Sequence, residues 1–208
     1  VFVERGPLEV FFRLINDKER SVMTKGLIAA FVAALLGFLG AVGSEGARAQ
    51  EWRWSNPTIE EFGAIVSLPD SGMQPAKNID YKVVFNITNS AGQDKLNPGL
   101  ERVARTVNLF SSAGVPLSRL HFVAVVHGPA TSSILDDARH LEKFGVGNPN
   151  APLIAALEKA GVQVVVCGQA LAHFKFPDSW VNPQVEITLA AITDIVILQQ
   201  QGYVLVPL

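Results

Sequence analysis

The one cysteine of the chain, Cys167, stands where the apolar run Val162 to Val166 gives way to a short stretch with helical spacing. At such a junction free backbone N–H groups and the positive end of a helix dipole steady a sulfur anion, the form of cysteine that attacks or receives sulfur. The other reading is a buried structural residue, since unpaired cysteine is among the most buried of side chains. His127 ends a second apolar run, where it could meet that sulfur or a bound anion, or donate a proton; it could equally be a loop histidine satisfied by backbone. Asn86 closes a third run, with Thr88 and Asn89 just beyond it. Together with Gly128, Gly168 and Gln169, Asn86 completes the expected ligand contacts around Cys167 and His127. His173, close to two helical turns past Cys167, is the weaker partner because it would point away from the thiol.

Other chemistries find little support. Cys167, His127 and His173 are of types that suit zinc or copper, but no paired-ligand spacing such as CxxC or HExxH is present, and no metal is expected. The first strand is not followed by GxGxxG or a P-loop, and no GxSxG elbow occurs, so no cofactor is expected either. Asp136-Asp137 reads as a solvated helical face. A count over residues 50–208 gives 11 Lys and Arg against 14 Asp and Glu, and no basic run carries interleaved aromatics, which argues against nucleic acid as a partner.

The 208 residues are 49% hydrophobic and 17% charged, the balance of a chain that folds around a core. Met23-Thr24-Lys25, the apolar or small-residue run from Leu27 to Val42, and the small-x-small triplet Ala47-Arg48-Ala49 together form a secretory leader. Cleavage is expected after Ala49, giving a periplasmic or secreted protein with no further membrane contact. Residues 1–22 precede the methionine that begins this leader and are expected to come from an over-extended reading of the gene. One cysteine cannot make an internal disulfide, so in an oxidising compartment stability must come from burial.

The elements that must position the candidate residues follow from periodicity. Residues 50–80, rich in proline and glycine, form an irregular lead-in in which Trp52 and Trp54 are expected to bury an edge. From Tyr81 to the end a single α/β domain is expected, beginning with a strand over residues 81–87. A helix follows, with Asn97 as N-cap, Pro98 in its first turn and Gly114 as its stop. A nearly all-apolar strand spans residues 120–126, then helices over 131–141 and 150–160, and a third strand over 162–166. A short helix after Cys167, a long one over 185–200 and a last strand over 203–206 complete the alternation. That order predicts a mostly parallel sheet flanked by helices on both faces, with right-handed crossovers.

Four segments carry a likeness to a known family: Tyr81 to Phe85, Val125-Val126-His127-Gly128, Val164 to Leu171, and the ending Leu198-Gln199-Gln200-Gln201-Gly202-Tyr203. Over roughly Tyr81 to Leu208 the chain resembles the exported branch of the DsrE-like family, most specifically in the strand-end cysteine followed by glycine. The resemblance implies a small α/β fold that forms homo-oligomers. It also implies a cysteine at the place of Cys167 that accepts and passes sulfur as a persulfide, with a donor or acceptor protein or a small thiol as partner. The leading expectation is therefore an exported sulfur carrier or thiol-reactive protein. Its rival is a homo-oligomeric binding or assembly module with a structural cysteine, in which the apolar helix carrying Ala190, Ala191, Ile192, Ile195 and Leu198 supplies either a subunit interface or ordinary packing on the sheet. An independent enzyme ranks third, because no nucleophile, base and orienting group are assembled.

Overall fold

A computed structural model describes residues 51–208; the expected leader and the segment before it lie outside the described residues. The main sheet has five parallel strands in the order β6-β5-β4-β3-β7: β3 (Tyr81–Ile87), β4 (Leu120–Val126), β5 (Gln163–Cys167), β6 (Glu186–Thr188) and β7 (Val204–Pro207). Central β4 is buried at six of its seven residues, as a strand covered on both faces must be.

Two cores of unequal size cover the sheet. On one face, Phe85, Ile87, Phe122, Ala124, Val126, Val164 and Val166 meet α1 (Pro98–Ser112) and α3 (Ala151–Lys159). The stripe Leu100, Val103, Ala104 and Val107 gives α1 its buried side at helical spacing, and each of its leucine and valine side chains contributes roughly 1.5–3 kcal/mol on leaving water. Asn97 caps this helix by accepting from the N–H groups of Gly99 and Leu100. On the other face, α5 (Ala191–Gln200) lies over Val84, Val123, Val125 and Val165, with Ala170 joining the same cluster.

The lead-in is more ordered than its composition suggests. It forms a short antiparallel ribbon, β1 (Trp54–Ser55) with β2 (Ile65–Val66), and is fastened to α1 by the fully buried Asn108, with the Thr58 hydroxyl donating to Ser111 and the Gly63 N–H to Glu101 beside it. The Asn108 amide oxygen accepts from the N–H groups of Thr58 (3.1 Å) and Ile59 (2.8 Å), and its nitrogen donates to the carbonyls of Phe62 (2.9 Å) and Gly63 (3.0 Å). Gly63 lies so close to α1 that a Cβ there would sit 2.2 Å from the Arg105 nitrogen. The expected burial of the two tryptophans does not occur: Trp52 and Trp54 are 54% and 65% exposed, and Ile59 and Ile65 go inward instead.

Two helical expectations need correction. Residues 131–141 do not form one helix; a 3₁₀ turn, Gly128–Ile134, is followed by a break at Leu135 and then α2 (Asp137–Phe144). The Thr131 and Ser133 hydroxyls donate back to the carbonyls of Gly128 and Ala130, both at 2.7 Å, and Leu135 makes a bridge with Val181. Asp136 and Asp137 are not a merely solvated face: Asp136 accepts from the Arg139 N–H as N-cap, and Asp137 accepts from the Asn148 N–H at 2.7 Å. Likewise, residues 185–200 divide into β6 and α5. Val185-Glu186-Ile187-Thr188 is β-branched at alternate positions and fills the open edge of β5, which outweighs the helical spacing read across it.

Candidate functional site at the carboxyl edge of the sheet

Parallel register places the candidate residues. Asn86 pairs with Val125 and Cys167 with Thr188, while Val126 pairs with Val166, so the next residue of β4's chain, His127, lies level with Cys167. Side chains alternate along a strand, and Asn86, His127, Cys167 and Thr188 therefore share the α5 face, one from each of four neighbouring strands or its end. Three of them were expected; Thr188 was hidden by the helix read across β6, although its alternating neighbours were the available signal.

The last crossover of the sheet starts beside the site. After β5 the chain enters α4 (Gly168–Phe174), whose Leu171 joins the larger core, whereas after β6 it crosses to α5 on the opposite face. Sites of α/β sheets gather beyond the carboxyl ends of the strands. Cys167 and Thr188 are the last residues of β5 and β6, at that end of the sheet.

At β4, the His127 N–H donates to the Ile87 carbonyl, and its Nε2 lies 2.6 Å from the Asn86 amide oxygen. With that nitrogen carrying the proton, Nδ1 keeps its lone pair. Burial lowers the pKa of the ring from its ordinary value of 6.5, which favours the neutral form. Gly128 follows at φ +55°, turning the chain into the 3₁₀ segment.

At β5, Cys167 is the N-cap of α4, and its Sγ accepts from the Ala170 N–H at 3.4 Å. The residue is 6% exposed. Gly168 lets β6 come close, since a Cβ there would be 2.7 Å from the Thr188 carbonyl oxygen. Gln169 is exposed and donates to the Leu189 carbonyl at 3.4 Å, so Gly168 and Gln169 both lie against the end of β6. The Thr188 hydroxyl donates to Asp194 of α5, tying the end of β6 to that helix. His173 stands apart, exposed, with its ring edge-on to Phe174 at 4.9 Å.

A five-stranded parallel α/β protein with a cysteine capping a helix at the carboxyl edge is the class that fold and site define. Residues 82–207 match the DsrE/DsrF-like family, and the chain belongs to it. That membership points to a role related to sulfur relay. No curated protein matches the chain. Among solved structures, it is similar to the protein of unknown function MTH1491 from Methanobacterium thermoautotrophicum, at 16% identity and a TM-score of 0.46, over 62% of this chain and all of that one.

Proposed function

We propose that this protein is an exported sulfur carrier in which Cys167 takes up sulfane sulfur as a persulfide. The observation that most supports this is the position of its Sγ: at the carboxyl end of β5, held by the Ala170 N–H, and level with a histidine whose neutral form burial favours. In the uptake step the Cys167 thiolate attacks the sulfane sulfur of a donor persulfide. The donor S–S bond breaks as a new one forms at Sγ, and the donor leaves as a thiolate, with no oxidant consumed. His127 serves as the acceptor of the thiol proton through Nδ1, the nitrogen left free by Asn86. Export follows from the leader read in residues 23–49.

The near-complete burial of Cys167 supports a second reading, a homo-oligomeric binding or assembly module with a structural cysteine. The outward side of α5 and its flanks fits that reading, with Leu189, Ile192, Val196 and Ile197 all at least half exposed or nearly so.

Intact-mass measurement before and after polysulfide treatment separates the two. A carrier gains the mass of added sulfur in the wild type, loses it to reductant, and gains nothing as Cys167→Ser. If no mass is added and Cys167 resists alkylation until the protein unfolds, the cysteine is structural and the carrier reading fails.

A further inference from the structure

At the carboxyl end of the sheet, on the side of the larger core, α2, α4 and the 3₁₀ turn enclose a pocket of about 390 Å³, within the range that small-molecule sites occupy. We infer that it binds a small aromatic anion, a carboxylate or sulfonate on one or two fused rings. This inference does not rest on Cys167.

The walls are aromatic and held in place before any ligand arrives. Phe144, Phe174 and Phe176 line the pocket together with Pro129. Phe176, only 8% exposed, stacks on Phe174 at 6.0 Å and on Trp180 at 6.3 Å, and Phe144 meets it edge-on at 6.5 Å. Phe174 keeps 37% of its surface open, which leaves a ring available for offset stacking.

Charge selects the ligand. Lys143 lines the pocket and makes no ion pair or hydrogen bond among the described residues, while every acidic group of α2 and its cap is engaged. Asp136 caps the helix, Asp137 holds the Asn148 N–H, and Glu142 pairs with Arg139 at 2.7 Å. The ammonium is thus the uncompensated charge at the rim, and the Ser132 hydroxyl supplies a donor for an anion's oxygen, while that of Ser90 already donates to the Ala91 carbonyl.

Calorimetric titration of the full chain with 2-naphthalenesulfonate, and with the neutral 2-naphthylmethanol for comparison, tests this. One saturable site is expected for the sulfonate, weakened about tenfold in Phe174→Ala and left unchanged in Cys167→Ser. Lys143→Gln should weaken the sulfonate about three- to fivefold, the range of a partly solvated ion pair, and leave the alcohol unaffected. Both substitutions fall on exposed side chains, so the fold should survive them. Absence of saturation at millimolar ligand overturns the site, as does binding that neither substitution changes. Equal weakening of sulfonate and alcohol in Lys143→Gln overturns the choice of an anion.

Discussion

The two faces of the sheet are built to different depths. One is covered by α1 and α3, with the lead-in fastened over α1, and buries 26 apolar residues in a single cluster. The other has α5 and only Ala170 from α4, with seven residues in its cluster and apolar side chains left on the surface of α5. The row Asn86, His127, Cys167 and Thr188 belongs to the thin face. Stability is concentrated where many side chains interlock, and the candidate chemistry sits where little has to move to uncover it.

Asn108 offers the strongest way to break this contrast. Asn108→Ala would leave the Thr58 and Ile59 N–H groups and the Gly63 carbonyl without their partner, the Phe62 carbonyl keeping its bond from Asn56, and a loss of about 3 kcal/mol or more in denaturant unfolding is expected. Trp52 and Trp54 fluorescence should report release of the ribbon in the same experiment. A loss below about 1 kcal/mol would mean that the lead-in adds little to the thick face.

Gly168→Ala acts on the thin face and should cost less, about 1–3 kcal/mol, the usual range for overpacking. The added methyl would collide with the Thr188 carbonyl and push β6 from β5, beside the sulfur. The expected signature is faster alkylation of Cys167 in the folded protein with only a modest drop in stability. Unchanged alkylation would show that the approach of β6 is not what shields the thiol.

The sequence revealed the fold wherever one element owned its apolar pattern. Strand Tyr81–Ile87 and the cap at Asn97 fall where periodicity and punctuation put them, and Cys167 does end a strand and open a helix. It misled where local and tertiary demands competed. Serine and threonine hydroxyls turned back on the backbone near residue 131, and β6 formed because β5 had an edge to fill, which no local pattern records. The site was legible as three strand ends; Thr188 and its link to Asp194 were not, since both depend on the missed strand. Asn108 was missed for a related reason: in the helix it reads as one polar residue beside an apolar stripe, and its partners are some 50 positions away in sequence.

The smallest expected effect tests whether His127 belongs energetically to the thin face. Its folded pKa is lowered by burial, so between the unfolded value near 6.5 and the folded value the unfolded chain binds the proton and the native state does not. The contribution of His127 is then fully present above the unfolded pKa and is lost as pH falls through the folded one. His127→Gln, which keeps a polar side chain but cannot titrate, should flatten that part of the stability curve. The difference between the two proteins isolates this ring from His121 beside Asp80 and from His140, whose two ring nitrogens face Val146 and Gln93. If the two curves stay parallel from neutral pH down through the acid limb, the ring is as well solvated when folded as when unfolded. Burial would then give it no bias toward the neutral form that a proton acceptor beside Cys167 requires.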